Sequence, residues 1–342
     1  MLDCTLRDGG YMNDWKFGRR NLSGIFERLV SAGIDTIEAG FLDERRDFDQ
    51  DRSIMPDVEC MRSIYASADR GCARIVGMID YGTCALEHIP PCGQSFLDGI
   101  RVIFKKPYRR QAFHFCDGLK RLGYQVFVQL VSITDYKDDE LIEIAQMANH
   151  MQPYAVSMVD TYGLLHQQRL LHVFRLLHQN LDPEIAVGYH GHNNFQMAYA
   201  NSIAVLSQNV ARTLFVDGSI CGMGKGAGNA PTELLAMYLN REYAKNYQIS
   251  ELLAAAEEHI LQFSQTSAWG YGIASFLAAY HECHPAYVSV LMKEHRFPIR
   301  VVNEILGMLD HNWKLVFYRD RLDYLLHVWS QKQTDADKDR TG

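Results

Sequence analysis

MLDCTLRDGG, residues 1–10, and IAVGYHGHNNF, residues 185–195, together set the architecture this chain must adopt. The first reads as a short apolar strand, 2–6, that stops at Arg7, Asp8 and two glycines. The second is another such strand, ending in His190, Gly191 and His192. Side chains alternate across a strand, so His190 and His192 point the same way, about 6.5–7 Å apart along the backbone. One carboxylate and two imidazoles converging at strand ends suit a divalent metal, with Arg7 alongside as a fixed cation. Asp8, His190 and His192 are therefore candidate ligands in a metal-dependent enzyme.

Outward from these two segments, further apolar runs of strand length occur at 35–39, 74–79, 99–104, 124–131, 154–159 and 212–217. Between them the apolar spacing turns helical: Leu22, Ile25, Phe26, Leu29 and Val30 share one helix face. DDELIEIAQMANH (138–150) repeats the pattern, with acids in the first turn where the helix dipole favours them. Strands alternating with helices imply an α/β protein with a parallel sheet, and eight strands close a (β/α)8 TIM barrel. Polar residues cluster just after the strands: Arg7-Asp8, Glu38, Lys105-Lys106, Asp160-Thr161, His190 with His192, and Asp217. Active sites of this fold gather at that C-terminal face. From about 232 onward the pattern is helical without strands. The expected organisation is a catalytic barrel over 1–244, a helical C-terminal domain over 245–330 and a polar, disordered tail over 331–342.

Of the 342 residues, 47% are apolar and 22% charged, an ordinary globular composition. A net charge of -7 gives no reason to expect nucleic acid or an anionic membrane as partner. No apolar run approaches the roughly 18 residues of a membrane-spanning helix, and the polar N-terminus reads as lacking a signal peptide. Cysteines 4, 60, 72, 84, 92, 116, 221 and 283 include no CxxC pair and no metal-ligand spacing. They read as reduced thiols in a cytoplasmic protein.

DGSICGMGKGAGNAPTELL (217–235) has glycines at 222, 224, 226 and 228 that fit neither the Walker nor the dinucleotide spacing. They either simply let a tight loop run back to the next helix, with Pro231 at its first turn, or also bring Asn229 in beside the metal. LDCTLRDGG, GYHGHNN and DGSICGMGKGAGNAPTE, in that order, resemble the three signature segments of the metal-dependent pyruvate-aldolase and acyl-CoA lyase/synthase superfamily of TIM barrels, the HMG-CoA lyase-like group. The resemblance spans most of residues 1–240. GAGNAPTE and the helical extension lean toward 4-hydroxy-2-oxovalerate aldolase.

The resemblance implies Asp8, His190 and His192 as metal ligands, Asn229 as a fourth or near neighbour, and Arg7 as the group that stabilises an enolate. A carboxylate and waters accompany the imidazoles and no thiolate does, so Mg²⁺ or Mn²⁺ is expected ahead of Zn²⁺. The implied activity is a divalent-metal-dependent aldolase that makes or cleaves a 4-hydroxy-2-keto acid through a pyruvate enolate. An acyl-CoA-dependent Claisen synthase and a catalytically weak barrel serving as a binding or scaffold subunit are the alternatives. Glu38 matches a family glutamate and is expected to support Arg7. Asp160 and Thr161 would orient substrate or water, and Lys105 and Lys106 would meet a substrate phosphate or carboxylate.

Two positions depart from the aldolases. Tyr11 stands where they carry a histidine acid/base, and a tyrosine, with an ordinary pKa of about 10, is the weaker base. YGIASFL (271–277) lacks the tyrosine of a GVYSSFL-like segment, with Tyr271 close by. Expected partners are a small 2-keto acid and an aldehyde, further copies of the chain, and a dehydrogenase docked on the helical domain.

Overall fold

Eight parallel strands run in a ring that Leu2–Asp3 closes by pairing with both Thr36–Leu42 and Leu214–Gly218. In this computed structural model, which describes residues 1–341 and the side chains of 1–332, the chain forms a (β/α)8 TIM barrel. The barrel strands are β1 (Leu2–Asp3), β2 (Thr36–Leu42), β4 (Arg74–Asp80), β5 (Gly99–Ile103), β6 (Gln125–Leu130), β7 (Ala155–Asp160), β8 (Ala186–Gly191) and β9 (Leu214–Gly218). The short β3 (Ile54–Met55) pairs only with the end of β2. Each of the eight expected strands has its counterpart, and the connecting helices cover the outside.

Alternation along the strands sorts the core into two environments. Outward residues such as Ile37, Ile75, Val102, Val128, Met158 and Val187 pack with the helices in one large apolar cluster. Inward, Leu2, Val76, Phe127, Ala155 and Ala186 form a smaller apolar plug. Farther along the same strands, toward their C-terminal ends, come Glu38, Arg101, Gln129, His190 and Asp217, all buried. The functional chemistry therefore sits in the barrel mouth above an apolar floor.

Two expectations need correction. The first strand ends at Asp3, not residue 6, and Thr5–Asp8 is a helical turn. The Asp3 carboxylate accepts from the Thr5 N–H at 2.9 Å, and the Cys4 carbonyl accepts from Arg7 and Asp8 at 3.1 and 2.7 Å. Local side-chain bonding of this kind draws the backbone out of the ladder. The chain also divides at Gly270/Tyr271 instead of 244/245. Helix Ile249–Ala255 belongs to the barrel unit because Leu252, Ala255 and Ile260 join its core and Arg28 ion-pairs with Glu251 and Glu258 at 2.7 and 2.9 Å.

The second unit packs helices Ile273–Tyr280, Pro285–Ser289, Ile299–Leu306 and Arg319–Thr341 around Leu277, Tyr287, Leu291, Val302, Ile305 and Leu322. Of the tail expected over 331–342, residues 331–341 fall on the end of that last helix, and residue 342 and the side chains from 333 onward lie outside the described residues. No helix among the described residues is long and apolar enough to cross a membrane.

Arg212 fixes the approach to β8 and β9. Its Nε donates to His178 Nδ1 at 2.9 Å, and its two terminal nitrogens donate to the carbonyls of His178, Leu181, Asp182 and Ile185 at 2.8–3.3 Å. All five guanidinium donors are thereby satisfied. Arg212→Met would take the guanidinium from the buried Leu181 and Ile185 carbonyls and is expected to lower stability by about 3 kcal/mol. Thermal unfolding checks this, and an unchanged Tm would contradict it.

Candidate metal centre and active site

Three elements deliver the ligand set. The helical turn after β1 presents Asp8, β8 presents His190, and His192 follows just beyond, where it bridges to Asn229. The ligand atoms of Asp8, His190 and His192 all lie within 4.8 Å of one another, and all three residues are buried. The imidazole centroids are 5.1 Å apart at 79°, and His192 Nδ1 lies 4.0 Å from Asp8 Oδ2.

The glycine-rich loop folds over this trio. Asn229 Nδ2 donates to Asp8 Oδ2 at 2.8 Å and to Ser219 Oγ at 3.2 Å. A Cβ on Gly224 would stand 2.3 Å from Asn229 Nδ2 and 2.4 Å from Asp8 Oδ2, so only glycine lets the loop come this close. Asn229 Oδ1 and His192 Nδ1 are buried with no hydrogen-bond partner among the described residues. Each orphan of this kind costs about 1–3 kcal/mol. A hard divalent cation suits these donors: one carboxylate, two imidazoles and an amide oxygen, with no thiolate. The nearby Cys4 thiol donates to the Gly218 carbonyl, and burial pushes its pKa well up.

A continuous line of buried charges holds the ligands. Arg7 bonds Asp8 Oδ1 at 2.5 Å and, through Nε, Glu38 Oε2 at 2.7 Å. Glu38 Oε1 lies 3.0 Å from Arg101, which also binds Asp217 Oδ2 and, at 2.9 Å, Gln129 Oε1. Asp217 Oδ2 is 3.0 Å from His190 Nδ1. A carboxylate on Nδ1 holds the proton there and leaves Nε2 free to ligate.

Burial opposes ionisation of Asp8, yet Arg7, His192 and His190 hold it well below the usual carboxylate range. For Asp217, Arg101 and then His190 likewise outweigh desolvation and keep it low. Desolvation pushes His192 down to about 4. At neutral pH the site thus offers an ionised aspartate and a neutral imidazole, the states a metal requires.

Comparison with known proteins fits this geometry. A family model described as HMGL-like matches residues 1–258. The chain belongs to the HMGL-like family. An oxaloacetate decarboxylase of Mycobacterium tuberculosis (strain ATCC 25618 / H37Rv) is 28% identical over 275 residues, spanning 80% of this chain and 79% of that protein. A 4-hydroxy-2-oxovalerate aldolase of Rhodococcus jostii (strain RHA1) is 26% identical over 263 residues, spanning 75% and 72%. The HMG-CoA lyase of Bacillus subtilis superposes with a TM-score of 0.60 at 16% identity, covering 77% of this chain and 92% of that one, a likeness of fold. This HMGL-like protein is an enzyme, a metal-dependent aldolase or lyase.

Other residues expected in this HMGL-like site divide sharply. Tyr11 lies at the mouth, its ring 4.8 Å from Trp15 and 6.3 Å from the buried Phe41. Although Tyr11 is 39% exposed, desolvation, against the pull of Arg7, raises its phenol to about 12. A hydrogen-bond donor fits that environment better than a base. Asp160 instead spends both oxygens on the N–H groups of Leu164 and Leu165, at 2.8 and 2.9 Å. Thr161 Oγ1 accepts from Ser132 N at 2.7 Å, so this pair braces loops. Lys106 pairs with Glu140 at 2.8 Å, whereas Lys105 is exposed. Tyr271 is the first residue of the helical unit and is exposed.

Arg101 and Lys225 had no expected role, and Asp217 was only part of a polar cluster. Arg101 was detectable as a charge inside the otherwise apolar GIRVI of β5.

Gly224→Ala is expected to fold but to lose Mn²⁺ binding in calorimetry; retained binding would contradict the close packing described above. Acid stability offers a second check. In the metal-free protein the unfolded His192 takes up a proton near pH 6.5, the folded one only near pH 4. The unfolded state binds more protons between these values, so stability falls as pH drops through that window. Urea midpoints should fall more steeply from pH 7 to 5 than in His192→Asn, and identical slopes would refute the assignment.

Proposed function

We propose that the protein catalyses reversible aldol chemistry of a 2-keto acid, with pyruvate as the enolate-forming partner and a 4-hydroxy-2-keto acid as the adduct. One observation carries this reading: the Arg7 guanidinium, buried and fixed by Glu38 and Asp8, stands beside the convergent Asp8, His190 and His192. Carbon–carbon cleavage next to a ketone leaves charge on an enolate oxygen, and prefixed donors at that position stabilise it without reorganisation. Asp8, His190 and His192, with Asn229 beside them, would hold a divalent cation, Mg²⁺ or Mn²⁺, which would supply Lewis-acid polarisation of the keto acid's carbonyl.

Arg7 meets the developing charge, and Glu38 keeps it from turning away. Tyr11, with a neutral phenol, donates a hydrogen bond to the substrate hydroxyl or carbonyl at the mouth. Eight cysteines without a disulfide support a cytoplasmic setting. The family resemblance extends the proposal to a homo-oligomer and to a dehydrogenase partner on the helical unit.

Oxaloacetate decarboxylation is a second reading that the Mycobacterium tuberculosis relative and Tyr11 favour. Loss of CO₂ gives the same pyruvate enolate and needs no base for a hydroxyl proton.

Proton NMR of pyruvate in D₂O tests the shared step. Loss of the methyl signal should require added Mg²⁺ or Mn²⁺ and stop on chelation. It should be abolished in Asp8→Ala and slowed roughly 100- to 1000-fold in Arg7→Ala. A metal-loaded enzyme that leaves the methyl protons untouched would sink both readings. Oxaloacetate consumed without cleavage of any 4-hydroxy-2-keto acid would favour the second.

A further inference from the structure

Lys225 is a cation of the site that the chemistry above does not employ. It lies in the glycine-rich loop, and its backbone N–H donates to Asp8 Oδ2 at 3.2 Å. Its ammonium sits 5.5 Å from the ring centroid of Tyr11 and 5.7 Å from that of Tyr162. Asp8, Arg7 and His192 all lie within its electrostatic reach. No carboxylate forms an ion pair with it among the described residues. By contrast, Lys106, the other half-buried lysine at the strand ends, pairs with Glu140.

Two aromatic faces compensate part of the cost of desolvating an ammonium. They leave its three N–H donors without an anionic acceptor. A half-buried charge in this position is costly unless a ligand completes it. The keto-acid end of the substrate already has Arg7 and the metal ligands. Lys225 stands on the side of Asp8 where the half-exposed Tyr11 marks the opening to solvent. That is the side from which a second reactant must enter.

Resting on the aldol reading, we infer that Lys225 binds an anionic group on the acceptor, so that the enzyme's aldehyde or ketone partner carries its own carboxylate or phosphate. The substrate class is thereby an anionic carbonyl compound rather than a simple alkyl aldehyde. In the reaction the pyruvate methyl carbon gives up a proton and forms a carbon–carbon bond to the acceptor's carbonyl carbon. The acceptor oxygen takes up a proton, and nothing is oxidised or reduced. Lys225 touches only the spectator anion and is a specificity determinant. An ammonium next to a carboxylate that must leave as CO₂ would hold that carboxylate in place, so Lys225 also weighs against decarboxylation as the main activity.

The test compares matched acceptors with pyruvate and metal: glyoxylate against acetaldehyde for a carboxylate, and glycolaldehyde phosphate against glycolaldehyde for a phosphate. The wild type should prefer one anionic member of these pairs in kcat/KM. Lys225→Gln should lose roughly 10- to 100-fold on that acceptor, mainly in KM, and little on its neutral counterpart. Lys225→Arg should recover most of the loss, and whichever pair responds identifies the anion. Pyruvate methyl exchange in D₂O should persist in Lys225→Gln. Equal losses on charged and neutral acceptors, or loss of methyl exchange in Lys225→Gln, would overturn the inference. A wild type that exchanges pyruvate but shows no preference for either anion overturns it alone. A wild type without exchange overturns the aldol reading beneath it.

Discussion

The contact between Asp217 and His190 is the constraint on which the site depends. It is the last link in a buried line of alternating charges that starts at Asp8 and passes through Arg7, Glu38 and Arg101. The line runs from the turn after β1 through β2 and β5 to β9 and ends on β8, so two candidate ligands, Asp8 and His190, are held by one electrostatic framework. Burying ions is expensive, and removing one partner of such a set typically costs about 3–5 kcal/mol. A line of this kind therefore specifies a geometry more than it adds stability.

The barrel makes that line possible. Parallel strands bring every C-terminal end to one mouth, and on several strands their alternation sets an inward polar residue above an inward apolar one. Phe127 lies below Gln129 on β6, and Ala186 lies below His190 on β8. The apolar layer seals the floor. Charges above it face a desolvated interior, which strengthens both their mutual attraction and their effect on a developing enolate.

Much of this was legible in the sequence. Eight strand-length apolar runs alternating with helical patterns gave the barrel, and the paired histidines with the arginine–aspartate turn pointed to the convergence of Asp8, His190 and His192. Less legible were interactions that depend on closure of the ring. Arg101 and Asp217 are far apart in the chain, and nothing local shows that one guanidinium reaches across to Glu38 and Asp217. Asp160 and Thr161 look like site residues from their position after β7, but loop backbone donors claim their oxygens. The end of the barrel unit was misplaced because Ile249–Ala255 has the same helical periodicity as the unit that follows. Only packing of Leu252 and the Arg28 ion pairs assigns it to the barrel.

Tyr11, Trp15, Phe41 and Tyr162 give the mouth an aromatic lining, while the reacting end is ionic. In the proposed reaction an active site of this form would separate two tasks: the buried charges would prepare one reactant, and the mouth would select the other. The claim at the centre of this account is that Asp217 sets His190 for metal binding. Calorimetric titration of Mn²⁺ into Asp217→Asn tests it most directly. The account predicts an affinity roughly 10- to 100-fold below that of the wild type, with cooperative unfolding preserved. An unchanged affinity in the folded variant would contradict it.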